Sequence, residues 1–140
     1  MTSENDMLRK DKLDEILADF KRQQEKVESE GKKKIVETEA QLDAVRTRIK
    51  DAQVGSPQYF NWHRMQESFH REIITQLNLM MNASAHYMLA LYTAIAFDEI
   101  FERKSPILVD EVERMKKQLD EHLTKRLSQI FGKKDLEYVA

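Results

Sequence analysis

Apolar positions recur along most of this chain at three- and four-residue intervals, the spacing of helices that each bury one stripe. One series runs through Leu13, Ile16, Leu17, Phe20, Val27 and Ile35 and continues with Leu42, Val45, Ile49 and Ala52. A second takes in Trp62, Met65, Phe69, Ile73, Leu77, Met80, Tyr87, Met88, Leu91 and Ile95. A third comprises Ile107, Val112, Met115, Leu119, Leu123, Leu127 and Ile130.

Two stretches break the rhythm. In "QVGSPQ" Gly55 is suited to close a helix, Ser56 to cap the next and Pro57 to take its first position. In "RKSPIL" Ser105 and Pro106 repeat the arrangement, with Asp110 and Glu111 near the new helix's positive end. Gly132, after Ile130 and Phe131, reads as a stop before a short tail. The pattern therefore predicts helices over 5–53, 57–103 and 106–131 and a tail over 132–140, within a single all-helical domain, 1–140.

At about 1.5 Å per residue the first two helices are each about 70 Å long. Equal lengths across a tight turn predict an all-α fold: a long antiparallel helical hairpin, with the third helix packing back to form a three-helix bundle base. Helix 1 residues then face helix 2 residues numbered roughly 110 minus their own. The part over 36–72 projects as a two-helix coiled-coil arm, in which Ile35, Leu42, Val45, Ile49 and Ala52 lie opposite Trp62, Met65 and Phe69. Between Val27 and Ile35 the stripe is interrupted by "ESEGKKK", where Gly31 costs about 1 kcal/mol relative to alanine. A phase slip in an uninterrupted helix is the expectation, with a bend at Gly31 as the alternative.

From Ile73 to Phe97 there is no Asp, Glu, Lys or Arg, although 34% of the chain is charged. The segment is long enough for a membrane span, yet Thr75, Asn78, Asn82, His86 and Thr93 share one side of the helical wheel. Amides facing hydrocarbon without partners are costly, and the flanking charges are mixed. Burial by protein is the better reading. Ala83, Ser84, Ala85, Ala90, Ala94 and Ala96 allow close helix approach. Two covering helices leave part of such a helix open, to be met by another copy. The residues expected at that interface are Met80, Ala83, His86, Tyr87, Ala90, Leu91 and Ala94.

Composition narrows the chemistry. Three Gly and two Pro leave little material for sheets. A net charge of −2 and a pI near 6.1 give no general attraction to nucleic acid, and the basic clusters (Lys32–Lys34, Lys116–Lys117, Lys125–Arg126, Lys133–Lys134) are balanced by nearby acids. With no cysteine there is no thiolate catalysis and no cysteine-held metal. The opening "MTSENDMLRKDKLDEIL" lacks the apolar core of a signal peptide, so a cytoplasmic setting is expected.

"HRMQESFH" places His63, Glu67 and His70 on one side of helix 2, in a geometry that suits a metal ion. A second Glu-x-x-His and the further glutamates of a di-iron bundle are missing. The favoured reading is a solvated helix flank with Glu67 and Arg71 paired, and no metal or other cofactor. His122 is assigned a packing or surface role. Glu99–Arg103, Glu113–Lys117 and Glu121–Lys125 stand at supporting i, i+4 spacing. No nucleophile elbow or phosphate loop occurs, so no enzyme is expected.

The expected function is a non-enzymatic structural or adaptor protein. It self-associates as a dimer or higher homo-oligomer through its central helix and meets a protein partner through the arm or the C-terminal tail. The alternatives are a membrane-anchored or membrane-active protein using 73–97 and a helical-bundle metal-binding protein.

Overall fold

A computed structural model of the chain describes residues 4–100 and 106–131. It contains three helices and, among the described residues, no strand: α1 (Glu4–Asp51), α2 (Pro57–Ile100) and α3 (Pro106–Phe131). The tail over 132–140, the Ser105 cap and the Glu99–Arg103 pair lie outside the residues described.

The turn between α1 and α2 is built largely as the sequence predicts, with one shift. α1 ends at Asp51, and Gly55 sits later, at φ +84°, in a four-residue turn closed by the Ser56 N–H donating to the Gln53 carbonyl at 3.1 Å. That positive φ is what glycine permits without Cβ strain. Ser56 then caps α2: its Oγ accepts from the Tyr59 N–H at 3.1 Å.

The helices pack as a bundle, α1 on α2 and α2 on α3. Contacts divide the described residues into two compact units, one from 4–28, 80–100 and 106–122, the other from 29–79 and 123–131. In the first unit Tyr87 and Leu91 of α2 meet Val112 and Met115 of α3 in a buried apolar cluster, with Leu17 and Met88 packed against it. In the second unit Ile35, Leu42 and Val45 of α1 and Ile73 and Leu77 of α2 form the buried set. There Arg48 lies 5.5 Å over the Trp62 ring, matching the register of an antiparallel hairpin. α3 reaches this unit too, since His70 Nδ1 is 2.9 Å from Gln129 Oε1.

α1 is one unbroken helix through Gly31, without a bend element. Nor does a phase slip follow "ESEGKKK". The buried positions are Gln24, Glu28, Gly31, Ile35, Thr38, Leu42 and Val45, alternating four- and three-residue steps. The seam continues regularly; its members are simply polar or small where the sequence pattern looked empty. Ile16 and Phe20, expected inside, are more than a third exposed.

α3 shows the same substitution of polar for apolar. Its buried line passes Val112, Met115 and His122, while Leu123 and Ile130 are more than a third exposed. Stepping by four and three from Met115 reaches Leu119 and His122, so position 123 falls just outside the seam.

No described helix is long and apolar enough to cross a membrane, so a span over 73–97 is set aside. The polar residues that interrupt the segment are the cause.

Candidate functional site

α2 carries two lines of residues with the same spacing on opposite sides. The inward line is Ile73, Leu77, Met80, Ser84, Tyr87, Leu91 and Ala94, all buried. The outward line is Thr75, Leu79, Asn82, His86, Leu89 and Thr93, all exposed. Leu79 and Leu89 are 50% and 62% exposed. Thr93 Oγ1 donates to the Leu89 carbonyl at 3.0 Å, which keeps that hydroxyl on its own helix. An exposed face without one charged side chain is unusual in a protein this rich in Lys and Glu.

The seven residues expected at an interface between copies are split by this arrangement. Met80, Tyr87, Ala90, Leu91 and Ala94 are buried within the chain itself, Ala83 is half-buried and only His86 is exposed. The helical wheel divided the segment correctly into an apolar and a weakly polar side. It is the weakly polar side that α1 and α3 leave open.

Polar groups enclosed by the first unit form a second constellation. Gln24 donates its amide to Gln118 Oε1 at 3.0 Å. One helical turn on, His122 Nε2 lies 2.8 and 2.9 Å from the two Glu28 oxygens, with both residues less than a tenth exposed. An imidazole N–H donating to a carboxylate satisfies both groups in a dry setting, where an unmet one would be costly. The pair joins α1 to α3. Of the packing or surface role expected for His122 the structure shows packing, and Glu28 and Gln24 were missed. The available signal was their place on the seam, Glu28 three residues before Gly31 and Gln24 four before Glu28.

Nearby, the Tyr87 hydroxyl donates to Glu111 Oε2 at 2.8 Å, and Arg114 grips the same carboxylate through two 2.9 Å bonds. Burial, then the Glu111 carboxylate, push the Tyr87 phenol well above its usual range. The Arg114 guanidinium outweighs desolvation and holds Glu111 below the ordinary carboxylate value. A phenol and carboxylate in these states do not exchange a proton near neutrality, so the trio fastens α2 to α3.

His63, Glu67 and His70 line a shallow cleft of about 550 Å³ in the second unit, with Phe60, Arg64 and Gln129. Their side chains are turned to other partners. Glu67 pairs with Arg71, as expected. His63 packs edge-on against Tyr59 at 4.4 Å, and His70 lies between Gln129 and Arg46. Among the described residues no group of three His, Asp or Glu side chains is placed to hold a metal ion.

Two of the expected surface pairs are replaced. Glu113 engages Lys116 rather than Lys117, and Lys125 reaches across to Glu39 at 2.8 Å rather than along its helix to Glu121. Partners on a neighbouring helix are invisible to an i, i+4 rule.

No protein-family model matches the chain, and neither a curated protein nor a solved structure is significantly similar to it.

Proposed function

We propose that this protein is a non-enzymatic helical subunit that self-associates through the open face of α2 and serves as a structural or adaptor element in a larger assembly. The observation that carries the reading is the exposed line Thr75, Leu79, Asn82, His86, Leu89 and Thr93, which combines two large apolar side chains with no charge. Desolvating such a face costs little, and its one amide, its hydroxyls and its imidazole can both donate and accept hydrogen bonds. The arm would supply contacts to a different protein. Val54 and Phe60, at and just after the hairpin turn, expose 80% and 56% of their surface. The setting we propose is the cytoplasm, consistent with a chain that has no cysteine.

The test is light scattering coupled to size exclusion on the wild type and on Leu89→Lys, in detergent-free buffer. Leu89 is exposed, so the substitution leaves the fold intact, whereas a charge at buried Ala90 would damage the core. A wild-type dimer or larger species that Leu89→Lys converts to monomer supports the proposal. A wild-type monomer across the micromolar range overturns it.

A further inference from the structure

Charge is distributed around the hairpin turn in a way that separates it from the rest of the chain. The eleven residues from Ala52 to Trp62 carry none. Behind them, on both helices, stand Arg46, Arg48, Lys50 and Arg64. Asp51 is the one acid between 44 and 66, so four cations against it leave a net charge of +3, in a chain whose total is −2. All four cations are exposed, and Arg48, Lys50 and Arg64 make no ion pair among the described residues. Arg46 has a loose one with Asp43, at 3.6 Å.

The uncharged part is also the apolar part. Val54 and Phe60 are largely exposed, with Tyr59 and Trp62 half-buried beside them. An apolar centre within a charged rim, rich in arginine and aromatic side chains and poor in lysine, is the composition of a protein-binding surface. A solvated helix flank would carry mixed Lys and Glu instead. Phe60, His63, Arg64 and Glu67 follow one another at helical spacing and line the cleft completed by Gln129 of α3. Glu67 is held by Arg71 and His63 rests on Tyr59, which leaves Arg64 as the unpaired charge in that cleft among the described residues. From Phe60 to His70 the cleft follows α2 for about 15 Å, the length of about three helical turns or about five extended residues.

Resting on the arm's contact role proposed above, we infer that this end of the arm docks a short acidic segment of a different protein. A large apolar side chain of that segment packs on Phe60, and its carboxylates meet Arg64 and the cations in the last turns of α1. Guanidinium groups take carboxylates in a fixed, two-bonded geometry, which suits a site where three of the four cations are arginine. A continuous polyanion, whether a nucleic-acid backbone or an anionic bilayer, fits less well. Glu67 stands in the cleft and Asp51 at the turn, and they repel an unbroken row of phosphates where spaced carboxylates leave them clear.

The probe is a random-peptide display library, selected on the immobilised full chain and compared on Phe60→Ser and Arg64→Glu proteins. Both positions are exposed, so the variants keep the fold, which circular dichroism checks. Selected peptides that are acidic, carry a large apolar residue and bind the wild type at least about tenfold more tightly than either variant support the inference. Peptides that need Phe60 but show no acidic bias overturn the acidic partner and leave the arm's contact role standing. Failure to select any peptide that distinguishes the wild type from both variants overturns the inference and that role together. Sedimentation with vesicles of phosphatidylcholine and phosphatidylserine in equal parts, if it requires Phe60 and Arg64, overturns the inference by assigning this end of the arm to lipid.

Discussion

The two sides of α2 use one spacing and reach opposite fates. Inward, Ile73, Leu77, Met80, Tyr87, Leu91 and Ala94 are enclosed by the chain's own helices, and the Tyr87 hydroxyl among them donates to Glu111. Outward, the line from Thr75 to Thr93 repeats the same alternation of four- and three-residue steps and is left open. Periodicity thus identifies a seam on either side. Which seam is filled within the chain depends on how much apolar area each offers: five large apolar residues and an alanine on one side, two leucines on the other. The hydrophobic effect scales with that area, so the covering helices settle on the richer side.

The most severe way to break the inward side is through its polar members. His122→Leu removes the imidazole from a Glu28 carboxylate that stays buried, and an effect of about 3 kcal/mol in urea unfolding is expected. The double variant Glu28→Leu/His122→Leu should cost clearly less, because no buried charge remains. Equal losses from the single and double variants would show that the pair does not act as one.

A direct contrast of the two sides comes next. Leu91→Ala opens a cavity in the Tyr87–Met115 cluster and should cost about 2–4 kcal/mol. Leu89→Ala, two residues away and largely exposed, should change the stability of the monomeric fold by less than about 0.5 kcal/mol. Similar losses at both positions would erase the distinction between the sides.

Ser84 sharpens it from within. Its hydroxyl is fully buried without a hydrogen-bond partner among the described residues. Ser84→Ala removes that group and improves helix propensity, so thermal unfolding should move upward by an amount equivalent to about 0.5–1 kcal/mol. A fall in stability would mean that the hydroxyl is satisfied.

The smallest effect concerns pH. Glu111 is held below its ordinary value of 4.5 chiefly by Arg114, so its ion contributes stability that is present above the unfolded carboxylate pKa. That contribution is lost as pH falls through the lower folded value. The stability advantage of wild type over Glu111→Gln should therefore hold above about pH 5 and shrink towards pH 3. An advantage that grows on acidification would contradict the assigned direction.

The element pattern was legible almost completely, because it rests on local chemistry. Pro57 and Ser56 start a helix wherever they occur, Gly55 turns the chain, and charge-rich three- and four-residue periodicity leaves no material for strands. What escaped was the polar part of the core. Gln24, Glu28 and His122 resemble surface residues in a hydrophobicity pattern, since burial of such side chains depends on a partner that lies 94 positions away in both the Gln24–Gln118 and Glu28–His122 pairs. A similar separation along the chain hid the Lys125–Glu39 bridge.

The sequence by itself determined that α2 has an apolar and a weakly polar side, because that property follows from 3.6-residue periodicity along one segment. Only the tertiary structure decided that α1 and α3 take the apolar side and that Tyr87 and Leu91 belong to the chain's own core rather than to a surface. The reason is that burial is a property of pairs of elements. One helix alone records which of its faces could be covered, and the packing of the other two decides which of them is.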